Sequence, residues 1–260
     1  MNRPAYFQKS AYALATLSSI AVLMATGTAA IAGYVPPQGR TAPRSGANST
    51  NISRGGDCSS AATSGIVPLA PQSHIGQATS AQPAFVWFTP ETGAERTIEF
   101  RLAKHLPEGG FEVVYATEFS SDERGPSGVM TLALSETDVR LSPEAMYRWQ
   151  VVLVCNPNRP SESLVAEADV AVVEGATHLE IALSTTADAS EKANRYAEAS
   201  FWYDALEVAI ADGPDGLAAL TLLEDLAAIE QQAETQAQAE DPAPENAYSD
   251  RLREVIEAMR

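Results

Sequence analysis

The chain has 260 residues, 34 acidic against 17 basic side chains, a formal net charge of −17 at neutral pH and 45% hydrophobic residues. That balance argues against nucleic acid as a partner, because binding phosphate backbones requires a basic stripe that releases counterions, and the only acid-free basic stretch is Arg40, Arg44 and Arg54 in linker-like surroundings. The acidity serves solubility, and no alternating Asp/Asn ladder of a calcium loop accompanies it.

Residues 1–32 read as an export signal. Arg3 and Lys9 supply the positive start, Ala11 to Ala25 are small and mostly apolar, and Ala30-Ile31-Ala32 offers a small-x-small cleavage site, so that the mature chain begins near Gly33. An uncleaved anchor is the rival, but Thr16, Ser18, Ser19, Thr26 and Thr28 dilute the run below the roughly 20 apolar residues of a membrane span. Contact with a membrane is expected only in passing, through this signal, and the expected location is periplasmic or extracellular. Residues 33–57 are rich in Gly, Pro, Ser and Arg and predict a flexible linker unable to bury enough surface to offset its ordering entropy. Asn48-Ser49-Thr50 and Asn51-Ile52-Ser53 match glycosylation acceptors, relevant only in a glycosylating host.

From 58 to 184 short alternating runs predict a β-domain, with strands over Ile66–Leu69, Ala84–Phe88, Arg96–Leu102, Glu112–Phe119, Val129–Ala133, Tyr147–Val154 and Val165–Val173. Turn formers separate them, for example Pro107-Glu108-Gly109-Gly110. About seven strands at this spacing suit an antiparallel β-sandwich of the immunoglobulin or fibronectin-III kind, and with the helices that follow the fold class is α+β. Alternation puts Tyr147, Trp149, Val151 and Leu153 on one inward face. In Leu141-Ser142-Pro143-Glu144-Ala145-Met146-Tyr147 the tyrosine stands where a tyrosine corner belongs, its hydroxyl within reach of backbone just upstream. Trp87, Tyr147 and Trp149 are therefore expected as structural anchors, with a tryptophan-lined sugar platform as the functional alternative.

Cys58 and Cys155 are the two cysteines, and in an oxidising compartment they are expected to form a disulfide. A loop of about 100 residues closed in this way is worth roughly 4 to 5 kcal/mol in the chain-entropy model. A reactive or metal-ligating thiol is the alternative, but it has no second Cys or His at ligand spacing.

Residues 185–232 switch to helical period. Asp188 or Ser190 can cap a start, a break is expected around Ala199 to Phe201, and Asp212-Gly213-Pro214-Asp215-Gly216 stops the second helix. The pair is similar to one tetratricopeptide-like hairpin, too small to stand alone. A further helix carries Leu217, Leu220, Leu223 and Ala227 as an apolar stripe. Residues 233–245 predict a solvated linker broken by Pro242 and Pro244. Residues 246–260 form an amphipathic helix with Tyr248, Leu252, Val255, Ile256 and Met259 on one face, free either to fold back or to dock on a partner. Aromatic residues at the helical break point to a partner-binding surface made of Phe201, Trp202, Asp204 and Leu206. For Asp204 itself a local role is favoured over the partner surface, either a charge on the outer face or a hydrogen bond tying the helix to the sandwich.

The spacer ending RGGDC, the PAFVWF strand, Tyr147-x-Trp149 running into Cys155-Asn156-Pro157, and Trp202-Tyr203-Asp204-Ala205-Leu206 together resemble an exported, chiefly cyanobacterial family, domain of unknown function 928, over about residues 54–226. Asn156 stands where that pattern has an aspartate, and the C-terminal tail is additional. The resemblance implies architecture and compartment and brings no activity.

No nucleophile elbow, zinc helix, phosphate loop or dinucleotide fingerprint is present. His74 and His105 stand alone in polar, loop-like surroundings and His178 beside a predicted strand end; all three are read as solvated, so no metal and no cofactor is expected. Glu112, Glu118, Asp122 and Glu123 are possible acid pairs in name only, since 34 acids allow almost any pair. The expected function is a non-catalytic interaction or scaffold module of the cell envelope with a protein partner. A carbohydrate-binding sandwich ranks second and a carboxylate-pair hydrolase third.

Overall fold

The computed structural model describes residues 33–39, 65–91, 95–123, 128–174, 177–238 and 247–260; the leader, Cys58, the glycosylation motifs and most of both expected linkers lie outside them. Eight strands and five helices follow in the order β1 (Val67–Pro68), β2 (Gly76–Ala78), β3 (Ala84–Phe88), β4 (Thr97–His105), β5 (Phe111–Ser120), β6 (Val129–Ala133), β7 (Met146–Val154), β8 (Leu164–Val172), α1 (Thr177–Thr185), α2 (Ala189–Glu198), α3 (Trp202–Asp212), α4 (Leu217–Gln238) and α5 (Tyr248–Met259). The class is α+β, with one sheet ordered β1-β3-β6 and a larger one ordered β2-β8-β7-β4-β5.

Side-chain period builds the core. Along β7 the residues Tyr147, Trp149, Val151 and Leu153 are all buried, and register sets Trp149 between Leu102 of β4 and Ala168 of β8. The small alanine beside the largest side chain leaves room for the indole, as close packing demands. From the facing sheet Phe85 meets Phe100 at 5.4 Å and Trp149 at 5.5 Å between ring centroids, and Trp87 meets Phe100 at 6.0 Å. These tilted and offset contacts hold the two sheets face to face. Every residue of β3 is buried, its inward Phe85 and Trp87 and its outward Ala84, Val86 and Phe88 alike.

α3 packs on β2 at the edge of the larger sheet and on β3 in the middle of the smaller, so it spans the two. α5 packs on β1, with the Tyr248 hydroxyl donating to the Pro68 carbonyl at 2.5 Å and Arg251 to the Ile66 carbonyl at 2.6 Å. The C-terminal helix thus folds back on the domain, one of the two outcomes the sequence left open. The break between α2 and α3 falls at Ser200, whose φ of 72° turns the chain, and Asp188 caps α2 by accepting the Glu191 amide at 2.8 Å.

Five expectations need correction. The strands are not all antiparallel: β2, absent from the predicted set because it is three residues with no apolar run, pairs parallel with β8. The helical part begins at α1, inside the segment assigned to the sandwich. α4 extends to Gln238, into the expected linker, because the Ala, Gln and Glu of QQAETQAQ are good helix formers although polar. Its buried stripe is Ala219, Leu222, Leu223, Leu226 and Ala227, while Leu217 is 80% exposed. Finally, the segment read as linker from residue 33 contains Tyr34, which is buried.

The tyrosine corner is present: the Ser142 amide donates to the Tyr147 hydroxyl at 2.8 Å. A Tyr147→Phe chain should lose about 1 kcal/mol in urea unfolding with an unchanged m-value, since one backbone hydrogen bond goes and the ring stays.

Candidate functional site

The aromatic start of α3 turns inward. Trp202 is fully buried and its indole Nε1–H donates to the Leu69 carbonyl at 3.0 Å; Phe201 and Leu206 are buried beside it. Asp204, also buried, accepts the Thr79 amide at 2.8 Å and the Thr79 hydroxyl at 2.6 Å. Burial pushes its carboxyl upward and the Thr79 bonds pull against that. Phe201, Trp202, Asp204 and Leu206 are therefore not an exposed partner surface; apolar aromatics and a doubly bonded acid are what a helix needs to sit between two sheets. Asp204 plays the tying role, one of the two local roles the sequence favoured for it. One turn on, Glu207 accepts the Ala84 amide at 3.3 Å.

Tyr203, missed by the sequence reading as a site residue, links α3 to the core. Its hydroxyl accepts the Trp149 indole Nε1–H at 2.8 Å and donates to the Asp169 carbonyl at 3.0 Å. A Cβ on Gly76 would lie 2.7 Å from the Tyr203 ring, so β2 carries glycine where the aromatic crosses its backbone.

A second polar group joins residues 34, 73, 74 and 230. Glu230 of α4 accepts the Gln72 amide at 2.9 Å, the Ser73 amide at 2.9 Å and the Ser73 hydroxyl at 3.0 Å. Because a carboxylate only accepts, the Ser73 proton is committed to it, so His74 Nδ1–H donates to Ser73 Oγ (3.0 Å) and His74 Nε2 accepts from the Tyr34 hydroxyl (2.8 Å). The chain of bonds fixes a loop; the histidine donates to the serine and does not draw its proton away. His74 is buried, contrary to the solvated reading, and desolvation lowers its pKa to about 4. Among the other two histidines, His178 is exposed and His105 is half-buried. Among the described residues no group of three or more His, Cys, Asp or Glu is placed to hold a metal.

The outward side of the larger sheet is different in kind. Register lines up Val113, Ala103, Arg148 and Asp169 across β5, β4, β7 and β8, with Phe111 opposite His105 in the next row. Arg148 grips Asp169 with two bonds of 2.8 and 2.9 Å and lies 5.2 Å from the Phe111 ring centre, and the His105 ring meets Phe111 edge-on at 4.7 Å. The Asp169 hydrogen bonds hold the guanidinium pKa above its ordinary value. On this support Phe111 is 50% exposed and Val113 61%, with Leu106, Val114 and Met146 also open. Among the described residues β5 pairs only with β4, and its other edge carries no neighbouring strand. The hairpin turn uses Gly109 and Gly110 at positive φ, and a bulge at Leu102/Ala103 twists the strand. By contrast Trp87, Trp149 and Trp202 are all 0% exposed, as anchors should be and a sugar platform should not, and Tyr147 is buried with them. Glu112, Glu118, Asp122 and Glu123 all lie exposed on β5 and the turn after it.

Two measurements test these polar groups. Tyr203→Phe strands a fully buried indole N–H and should cost about 1–3 kcal/mol by denaturant unfolding, whereas an exposed tyrosine would cost little. For His74, the unfolded chain takes up a proton near pH 6.5 and the folded chain resists until about 4, so stability falls as pH drops through that interval. Between about pH 7 and 4.5 a His74→Gln chain should lose less stability than wild type, by up to about 3 kcal/mol.

The family model described as Domain of Unknown Function (DUF928) matches residues 49–243. A search of curated proteins finds no match. Among solved structures, one titled "Structure of Astrotactin-2, a conserved vertebrate-specific and perforin-like membrane protein involved in neuronal development" is similar over 72% of this chain, with 9% identity and a TM-score of 0.27, and this chain spans 37% of its length. A likeness of that size carries no argument about fold or function.

Proposed function

The chain belongs to the domain of unknown function 928 family, and from that premise we propose that it is an exported, non-catalytic protein-interaction module of the cell envelope. One observation carries the reading: apolar side chains headed by Phe111 and Val113 stand open on a supported sheet face beside an edge of β5 that has no neighbour among the described residues. Solvent-facing valine and phenylalanine at an open edge favour a partner that lays an extended segment along β5 and covers Phe111. The occupant is an envelope protein. The hairpin takes over the role first assigned to the start of α3.

The finer reading of the body is a sandwich of immunoglobulin style, supported by the tyrosine corner and the face-to-face aromatic core. A disulfide between Cys58 and Cys155 belongs to the same proposal and is supported by the full burial of the Cys155 side chain just beyond β7. Intact mass under non-reducing conditions should find no alkylatable thiol in the unfolded, exported protein; two free thiols would remove the disulfide from the account. The carbohydrate reading has less support, because the tryptophan rings it requires are buried.

The interaction is tested in living cells with a photocrosslinking residue at Val113 and, as control, at Glu180 on α1. The expected result is one discrete envelope adduct from Val113 alone, lost when Phe111→Ser is added, with a melting temperature shifted by no more than a few degrees. Equal adducts from both positions, or none from Val113, would overturn the assignment of this face.

A further inference from the structure

The first described residues are fastened to the domain with unusual economy. The Tyr34 ring lies edge-on to Trp202 at 4.9 Å and stacks on His74 at 5.6 Å, and the Val35 amide donates to the Ala197 carbonyl at 3.1 Å. Just before them, Asp225 of α4 presses its carboxylate against the backbone of Gly33. A Cβ there would stand 2.7 Å from Oδ2, 3.0 Å from Cγ and 3.1 Å from Oδ1, and the next amide, of Tyr34, donates to Oδ2 at 3.2 Å.

Among the described residues that carboxylate has no cation beside it. Its neighbour Glu224 is paired with Arg260, while Asp225 has only the Tyr34 amide among the described residues. Partial burial, and then Glu224, push its pKa upward, so it stands to gain from a positive charge at its open side. Gly33 lies one residue beyond the small-x-small motif Ala30-Ile31-Ala32.

We propose that the α-ammonium group freed on Gly33 by removal of the leader is the cation that Asp225 receives, so that Asp225 is a built socket for the mature N-terminus. The inference rests on the export reading above. Hydrolysis by a leader peptidase adds water across the Ala32–Gly33 amide, leaving a carboxylate on Ala32 and an ammonium on Gly33. The uncut amide offers one neutral N–H at this place. The ammonium offers three donors and a full charge, about 1.5 Å from the Cα that Asp225 already covers. A side chain at this position would displace the carboxylate. Processing then does more than release the chain: it completes the contact that seats Tyr34 between His74 and Trp202.

The test uses the full-length protein expressed with its leader and recovered from the envelope. N-terminal sequencing should begin at Gly33. The α-amine, followed by its rate of acylation against pH, should titrate about one unit above the ordinary value near 8, and so react about ten-fold more slowly at neutral pH. Asp225→Asn should restore ordinary reactivity. Gly33→Ala, which leaves the core untouched, should do the same by pushing the carboxylate aside, and it decides the matter if the first variant does not fold. A chain that begins at Gly33 but whose amine reacts alike in wild type and both variants would overturn the socket and leave the export reading standing. A chain recovered uncut, or cut elsewhere, would overturn both.

Discussion

The Tyr203 hydroxyl is the contact on which the rest of the arrangement depends. It accepts from the indole of Trp149 at the centre of the larger sheet and donates to the Asp169 carbonyl of the neighbouring strand, so a single oxygen satisfies a buried donor and a backbone acceptor at once. Without it the Trp149 N–H would be stranded in an apolar interior, at a cost that a small domain stable by only several kcal/mol feels directly. The same ring occupies the space that Gly76 leaves by having no side chain. Helix α3, strand β2 and the core between the two sheets are therefore specified together, and Asp204 on Thr79 and Glu207 on Ala84 repeat the tie on either side.

The strands were legible because they obey one rule. Where a run alternates, as in Tyr147-x-Trp149-x-Val151-x-Leu153, its inward face could be assigned residue by residue, and β3 and β6 have the limits read from the alternating runs and the turn formers between them. β2 was invisible because Gly-Gln-Ala has no apolar period; its place comes from the edge of β8 and the ring lying over it, both distant in sequence. The site was harder still. Aromatic residues at a helix start fit a binding surface and a buried junction equally well, and composition does not say which way a helix faces. Glu230 and Arg251 are buried charges on amphipathic helices, where only the positions of the Ser73 amide and the Ile66 carbonyl reveal their purpose.

Seen from its electrostatics, a chain of net charge −17 spends several carboxylates on its own backbone. Glu230 takes the amides of residues 72 and 73, Asp204 that of Thr79, Glu207 that of Ala84 and Asp225 that of Tyr34. Each of these four acids has its pKa raised chiefly by burial, and each offsets part of that penalty with a backbone donor. Acidity in this protein is thus partly a construction material for the joint between helices and sheets. The Arg148–Asp169 pair on the outward sheet face has another use, holding an aromatic ring out toward solvent.

β1 is only two residues long, and its surroundings are completed from the far end of the sequence, where Tyr248 bonds the carbonyls of Pro68 and Ala70 across separations of 180 and 178 residues. A polypeptide emerging from the ribosome amino end first cannot finish this corner until residues 248–259 have been made. Closing so wide a loop comes late on any pathway, because its entropy must be spent before the contact returns anything. The two-residue strand therefore gains its last partners only once the helix over residues 248–259 has been made, so this corner is the part of the body that sets last.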